Sequence, residues 1–239
     1  MTTLTVEQKC DAFWTLHESG CFVLPNPWDA GSAQLLTGMG FKALATTSSG
    51  HAWSCAKPDG SMQRDAVLDY MRSIVEATDL PINADFEDGF GESPREVFES
   101  AQLAVATGVA GFSIEDSTGD PLEPVRDIHD AVERVCAARD AIDASGSKTL
   151  LVARAENFFL GRPDLPDTIK RLQAYAEAGA DCLYAPGIKT RDDIAAVVLA
   201  VAPKPVNVLI GWNSDLTVNE LSALGVRRVS VGGALARAA

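Results

Sequence analysis

The stretch AVATGVAGFSIED, residues 104–116, contains the pattern that decides the fold. A segment rich in helix-forming residues ends at Gly108, and a short apolar run follows it and ends in two acids. A glycine just past a helix commonly takes the left-handed backbone conformation that closes the last turn. An apolar run directly after it is typical of a strand buried on both faces of a parallel sheet. The stretch therefore predicts a helix followed by a buried parallel strand.

The same pattern recurs along the chain at Gly40, Gly179 and Gly225. With the segments between them, these repeats predict eight strand-then-helix units in one domain, residues 1–239. Strands are expected over 21–26, 42–48, 81–87, 111–116, 149–155, 181–186, 205–211 and 227–232. Helices are expected near 30–39, 63–78, 94–107, 127–145, 164–178, 191–202 and 217–224, with an extra N-terminal helix near 5–19.

This rhythm and length are typical of an α/β fold of the (β/α)8 TIM-barrel type. A doubly wound open sheet is the alternative, but the turn after the first strand, NPWDAGSA (26–33), lacks the glycine-rich fingerprint of a nucleotide site. Only GALARAA (233–239) follows the eighth strand, so we expect a truncated or swapped eighth helix.

Composition and charge narrow the function class. The chain has 239 residues, a net charge of −13, and five cysteines without CxxC spacing. Such a negative chain repels nucleic acid and does not suit a basic membrane-surface helix. The N-terminal sequence lacks signal-peptide features, and no apolar run approaches the length of a membrane span. We therefore expect a cytoplasmic protein that binds neither nucleic acid nor membrane.

Acids lie where the strands are predicted to end, which is where barrel enzymes place their sites. In NADFEDGFGE (83–92), Asp85 and Glu87 are two residues apart and would face the same side of a strand. The fourth strand ends with Glu115, and the loop after the second strand contains Asp59. These hard oxygen donors suit Mg²⁺, with Mn²⁺ also possible. The four acids are therefore the predicted metal ligands.

Basic and hydroxyl groups are predicted at the same edge of the barrel. Arg154 ends the fifth strand and could donate to a carboxylate or a developing oxyanion, with Glu156 beside it, so these two are the predicted catalytic residues. Hydroxyl and backbone N–H groups after the second strand could hold an anionic group. The predicted substrate-binding residues are Asn26, Thr47, Ser48, Gly50 and Arg154.

Simpler explanations exist for several of these residues. The acid pair at the end of the fourth strand could be helix-start acids, and Arg154 with Glu156 could be a structural ion pair. The histidines show no mutual pattern, and we expect His17 and His129 on helix surfaces. The mouth end of the strands carries no lysine, which counts against a Schiff-base aldolase.

The order and spacing of these motifs resemble the isocitrate lyase/phosphoenolpyruvate mutase superfamily over essentially the whole chain. The most similar branch is that of phosphoenolpyruvate phosphonomutase-like and carboxyvinyl-carboxyphosphonate phosphorylmutase-like proteins. The resemblance implies a modified (β/α)8 barrel with Mg²⁺ at its mouth. It also implies cleavage or rearrangement of a C–C or P–C bond next to a 2-oxo or 2-hydroxy acid, through an enolate or related oxyanion.

The resemblance also assigns roles to residues. The family's DxDxGxG pattern falls on Asp85, Glu87, Gly89 and Gly91, and its further acids fall on Glu115 and Asp59. Its carboxylate-binding position falls on Thr47 and Ser48, and its arginine falls on Arg154. Since the family's eighth helix commonly swaps between subunits, the resemblance implies a homo-oligomer, either a dimer or a tetramer.

The loop after the fourth strand departs from the family pattern. Isocitrate and methylisocitrate lyases have a catalytic cysteine there, whereas EDSTGDPLEPVRD (115–127) has none. We expect residues 117–125 to act as a lid. Our main hypothesis is a Mg²⁺-dependent lyase acting on a small 2-oxo or 2-hydroxy carboxylate. The alternatives are a phosphonomutase or phosphonopyruvate hydrolase, a phosphosugar enzyme using VGGALA (231–236) to hold phosphate, and a non-catalytic carboxylate-binding barrel.

Overall fold

A computed structural model describes residues 4–211 and 214–239 and shows eight parallel strands in a nearly closed barrel, with helices between them. This confirms the predicted (β/α)8 class. The strands are β1 Phe22–Leu24, β2 Leu44–Ala45, β3 Ile82–Asp85, β4 Gly111–Glu115, β5 Leu150–Arg154, β6 Cys182–Tyr184, β7 Val206–Leu209 and β8 Arg228–Ser230. Residues 1–3 and 212–213 of the predicted domain lie outside the described residues.

The strands pair in the order β1-β8-β7-β6-β5-β4-β3-β2, so each strand lies beside its neighbour in sequence, and β8 returns to β1. At the remaining seam, the backbone N–H of Ala45 in β2 donates to the carbonyl oxygen of Pro25, just past β1, at 3.0 Å. The strand ends that follow one another in the chain therefore meet around a single mouth.

The helices fall between the strands, and most match the prediction to within a few residues. They are α1 Val6–Glu18, α2 Ala30–Gly38, α3 Ser48–Ser54, α4 Arg64–Glu76, α5 Pro94–Ala106, α6 Ile128–Ser145, α7 Leu165–Glu177, α8 Arg191–Val201, α9 Val218–Ala223 and α10 Ala234–Ala238. Capping boxes at Thr5, Ser93 and Thr217 begin α1, α5 and α9, where side chains satisfy the free N–H groups of the first turn.

Two helical segments bear on the mouth of the barrel. The prediction extended the second strand to residue 48 and placed a loop after it, but Ser48–Ser54 forms α3, begun by the Thr47 side chain, which accepts from the N–H of Gly50 at 3.3 Å. After β8, the five-residue helix α10 begins at Ala234. The two short helices pack against each other over the mouth.

Side chains alternate between the barrel interior and the helix-facing layer, as parallel strands require. In β5, Leu150 and Val152 pack inside the barrel, whereas Leu151 and Ala153 join the core formed with the outer helices. Phe13 of α1 packs with the interior cluster. On the same helix, the prediction that His17 lies on the surface was wrong, since it is buried and stacks edge-on against Phe13 and Phe22.

In the part of the chain that the structure describes, every helix is too short or too polar to cross a membrane.

Candidate active site

A cavity of about 150 Å³ opens at the end of the barrel where the strands terminate. Four of the residues assigned to substrate binding line it: Asn26, Thr47, Ser48 and Arg154. Of the predicted metal ligands, Asp59 and Asp85 reach its wall. The C-terminal mouth of the barrel is therefore the candidate active site, in the place that the fold favours.

Arg154 lies at the centre of the predicted acids. Its guanidinium contacts three carboxylates through three different nitrogens: Nη1 to Asp85 at 2.8 Å, Nη2 to Glu115 at 3.0 Å, and Nε to Glu156 at 2.8 Å. The ring of Tyr184 lies below it, with the guanidinium carbon 5.1 Å from the ring centre. The structure thus brings together β3, β4, β5 and β6 around a single cation.

Two of these three carboxylates, Glu115 and Glu156, have raised pKa values. Burial raises the pKa of Glu115 well above its ordinary value, although the Arg154 charge opposes that shift. Burial also raises the pKa of Glu156, whose side chain is only 2% exposed. Burial alone would lower the pKa of Arg154, but the neighbouring carboxylates hold it well above the usual range, so the arginine stays charged.

Glu87 lies close to this cluster but does not extend β3 as predicted. The strand ends at Asp85, and Glu87 adopts a left-handed backbone conformation with φ of 47°. Its Oε1 atom is buried and has no hydrogen-bond partner. Burial, together with the charges of Asp85 and Asp59, raises the pKa of Glu87 to about 8. A buried acid beside other acids, with an oxygen left unpaired, is the environment in which a cation would be stabilised.

The turn between β2 and α3 holds Asp85 from the other side. The backbone N–H of Ser48 donates to Asp85 Oδ2 at 3.1 Å, and the backbone N–H of Asp85 donates to the Thr46 hydroxyl at 2.7 Å. Asp59 lies on the exposed loop after α3, where partial desolvation and the Asp85 charge raise the pKa of its carboxyl. Asp85 is therefore the acid that links the cavity wall, the hydroxyl-rich turn and Arg154.

Two predicted binding residues have evident structural roles. Gly50 is buried away from the cavity wall, and a Cβ there would lie 2.7 Å from the Thr47 side chain and 3.0 Å from that of Trp28. Asn26 ties three strand ends together. Its Nδ2 donates to the Thr46 carbonyl at 2.9 Å, and its Oδ1 accepts from the N–H groups of Val231 and Gly232, both at 2.9 Å.

The bonds of Asn26 also weigh against the phosphosugar alternative. That reading needs free backbone N–H groups in VGGALA at the start of a helix. The N–H groups of Val231 and Gly232 are already donated to Asn26, and the helix that follows has only five residues.

The predicted lid, residues 117–125, does not line the cavity in this structure, because the loop closes on itself through a bridge between Ser117 and Val125.

Two groups of polar residues were not among the predicted site residues. Asp116 is buried in a network with Tyr175 and Arg171, at 2.6 Å and 3.1 Å from its Oδ2, below the Arg154 cluster. The floor of the cavity is also polar and contains Arg228 of β8. The signal for Arg228 was weak, since the predicted strand over 227–232 also contains Arg227 and Ser230, so a buried charge does not stand out in the sequence.

The donors at the mouth fit a hydrated divalent cation. Among residues 4–211 and 214–239, no three acid, histidine or cysteine side chains are gathered closely enough to hold a metal ion unaided. Mg²⁺ commonly keeps several waters and needs only one or two protein carboxylates. The carboxylate of Asp85 and the unpartnered oxygen of Glu87 meet that requirement with the hard oxygen donors that Mg²⁺ prefers.

Comparison with known proteins agrees with the fold. Residues 13–239 match the family described as phosphoenolpyruvate phosphomutase, and the chain belongs to that family. Three similar proteins illustrate the relationship. A Burkholderia cenocepacia protein assigned as a lyase or mutase has a crystal structure that superposes with a TM-score of 0.95, at 52% identity, covering 98% of this chain and 84% of that one.

The second is 2-methylisocitrate lyase from Escherichia coli strain K12, which is 32% identical over 161 residues. That match covers 65% of this chain and 54% of the enzyme. The third is oxaloacetate acetylhydrolase in complex with its product oxalate, with a TM-score of 0.88 at 28% identity, over 98% of this chain and 83% of that one. The resemblance to the isocitrate lyase/phosphoenolpyruvate mutase superfamily is confirmed, and with it the assignment to enzymes of lyase and mutase type.

Proposed function

We propose that this protein is a Mg²⁺-dependent lyase that cleaves a C–C bond in a small 2-oxo or 2-hydroxy carboxylate, through an enolate or related oxyanion. The observation that carries the proposal is the arrangement of Arg154 among Asp85, Glu115 and Glu156, with Arg154 and Asp85 on the cavity wall. Lyase relatives and a neighbour that binds oxalate, a two-carbon dianion shaped like an enolate, support the same chemistry.

Each group has a role in this proposal. Asp85 and Glu87 would hold the cation, supported by Glu115 and Asp59. Mg²⁺, or Mn²⁺ in its place, supplies positive charge that stabilises a developing oxyanion when it is bound. Thr47, Ser48 and Asn26 line the cavity where the substrate carboxylate is held. Arg154 donates from its buried guanidinium toward the reacting oxygen, and Glu156 fixes the orientation of that guanidinium.

Oxalate binding tests the proposal because it does not require the natural substrate. We expect calorimetry to show oxalate binding to the wild-type protein only when Mg²⁺ or Mn²⁺ is present. Asp85→Asn should weaken both metal and oxalate binding by about 100-fold or more, because it removes the charge that joins the metal site to the cavity. Asp69→Asn is the matched control, since Asp69 is an exposed acid on α4.

Two results would contradict this assignment. Wild-type protein that binds oxalate equally well after metal removal would exclude the proposed cation site. An Asp85→Asn variant that keeps its folding transition and both affinities would show that Asp85 is not a ligand. Binding of metal and oxalate without turnover of any 2-oxo or 2-hydroxy acid would favour the carboxylate-binding barrel.

A phosphonomutase or phosphonopyruvate hydrolase is the second candidate, because the matching family is described by the phosphomutase reaction. Phosphonopyruvate separates the two. Phosphorus NMR measures whether the P–C bond of phosphonopyruvate is lost. That loss would favour the second candidate, whereas C–C cleavage of a 2-oxo or 2-hydroxy acid would favour the lyase.

We also propose that the chain acts in the cytoplasm as a single domain over residues 1–239 and assembles as a homo-oligomer, a dimer or a tetramer. The basis for the assembly is the family resemblance, because the family's eighth helix commonly swaps between subunits. Sedimentation of the full chain tests the proposed assembly by measuring its mass in solution.

A further inference from the structure

The floor of the cavity is unusually polar for the interior of a barrel. Such interiors are commonly filled by layers of bulky branched side chains. Here Asn83, Ser113, Asn207 and Arg228 point inward from β3, β4, β7 and β8, and all four line the cavity while being at most 4% exposed. The cavity therefore continues from the Arg154 cluster down to a second, separate cation.

Arg228 differs from Arg154 in having no carboxylate partner. Its Nε donates to Asn207 Oδ1 at 3.0 Å and its Nη1 donates to Asn83 Oδ1 at 3.2 Å, and both acceptors are neutral amides. No ion pair of Arg228 is found among the described residues, although its side chain is buried. Burying a charge without a counter-charge is costly, so its retention calls for a functional reason.

The groups around Arg228 cannot supply the missing negative charge. His17 lies nearby, and burial together with the Arg228 charge lowers the pKa of its imidazole to about 3, so it is neutral at ordinary pH. Burial raises the pKa of the Cys182 thiol and of the Tyr184 phenol, so these two groups are neutral as well. The cavity is the remaining direction from which an anion can reach the guanidinium.

We propose that Arg228, positioned by the amide oxygens of Asn83 and Asn207, forms a second anion subsite, which binds the distal carboxylate of a small dicarboxylate substrate. This inference rests on the proposed function, in which the 2-oxo or 2-hydroxy acid end of the same molecule lies at Asp85 and Arg154. One cavity of about 150 Å³ touches both arginines, so a single small molecule can contact the two ends. Arg228 is then a specificity residue that selects dicarboxylates over monocarboxylates.

Malate and lactate form a suitable pair of probes, because both are small 2-hydroxy acids and only malate carries a second carboxylate. In the presence of Mg²⁺, we expect calorimetry to show that the wild-type protein prefers malate over lactate. Arg228→Gln should reduce that preference by about 10- to 100-fold, the loss expected when a hydrogen bond to a charged group is removed. Oxalate affinity should stay within about threefold of wild type, since oxalate does not reach the floor.

Three further variants sharpen the test. Arg227→Gln removes the same charge from the adjacent residue, which lies outside the cavity, and should leave the preference unchanged. Arg228→Lys should retain part of the preference for malate that Arg228→Gln loses. Asn207→Asp places a carboxylate beside Arg228 without removing the arginine, and should abolish the preference while raising the thermal stability. A purely structural Arg228 would gain the stability without the change in selectivity.

The outcomes separate this inference from the proposed function. Suppose that oxalate binds to the wild-type protein with metal. If wild-type protein then shows no preference for malate over lactate, or if Arg228→Gln and Asn207→Asp both retain that preference, the subsite is excluded and the lyase proposal stands. If oxalate and malate both fail to bind wild-type protein, the lyase proposal and the subsite fall together. If Arg228→Gln does not fold, the Asn207→Asp result decides.

Discussion

Replacing Arg154 by methionine is expected to lower the free energy of unfolding by about 3–5 kcal/mol at neutral pH, the cost typical of breaking a buried ion pair. The Arg154 guanidinium holds three carboxylates within 3.0 Å, and Glu156 is almost fully buried. Without the cation, these acids would face one another in a site that excludes most water. Urea unfolding of wild type and variant measures the difference.

The destabilisation should depend on pH in a definite direction. Burial already raises the pKa of Glu115 and Glu156 above their unfolded values, and the Arg154 charge opposes that shift. An acid whose pKa is higher in the folded than in the unfolded protein lowers the free energy of unfolding at pH values above the folded pKa. This cost disappears as the pH falls from the folded pKa toward the unfolded pKa, which lies in the ordinary range of a glutamate. The gap between Arg154→Met and wild type should therefore shrink on acidification.

A control and a rescue accompany this prediction. Arg191→Met removes an arginine whose ion pair with Glu220 is exposed, and should change stability by less than about 1 kcal/mol. Mg²⁺ should restore part of the stability of Arg154→Met, since a cation that binds only the folded state stabilises it. A loss of stability that is equal at every pH would show that the effect comes from packing and not from charge.

The repeat architecture could be predicted from sequence because it depends on local chemistry. The four repeated glycines do take the left-handed conformation, with φ between 85° and 101°, and the apolar runs after them are the strands. The exception is α3, whose sequence SSGHAWS has no helical periodicity of apolar residues. That helix depends on the Thr47 cap and on packing against α10, and the second of these is a long-range contact that local sequence cannot show.

The candidate site was predictable in its residue types but not in its geometry. The rule that residues two apart share one face of a strand failed for Glu87, because the strand ends at Asp85 and the chain turns through a left-handed residue. Arg228 was overlooked because a charge inside a strand looks like a surface residue until the partner strands are known. Only the register of β7 and β8, with Asn207 opposite Arg228, places that charge inside the barrel.

The Asp116 network shows how the fold supports the site from below. Asp116 is 2% exposed, and both of its oxygens accept hydrogen bonds. Its Oδ1 accepts from the backbone N–H of Glu156 at 2.8 Å, and its Oδ2 accepts from the Tyr175 hydroxyl and from Arg171. Glu156 in turn orients Arg154. A buried side chain thus fixes the residue that holds the central arginine.

Asp116→Asn is therefore expected to lower the free energy of unfolding by about 3 kcal/mol, although it changes the side-chain volume very little. An asparagine has one acceptor oxygen, so the donors that face either Oδ1 or Oδ2 of Asp116 would face an NH₂ group instead. Arg171 would also lose a buried counter-charge. Tyr175→Phe removes a single bond and should cost about 1 kcal/mol.

Urea unfolding of the two single variants and the double variant measures their coupling, which should be about 1 kcal/mol because the groups share one bond. Glu123→Gln is the control, since it makes the same kind of change at an exposed acid on the nearby loop. Independent, additive effects of Asp116→Asn and Tyr175→Phe would mean that Asp116 and Tyr175 do not act as a unit.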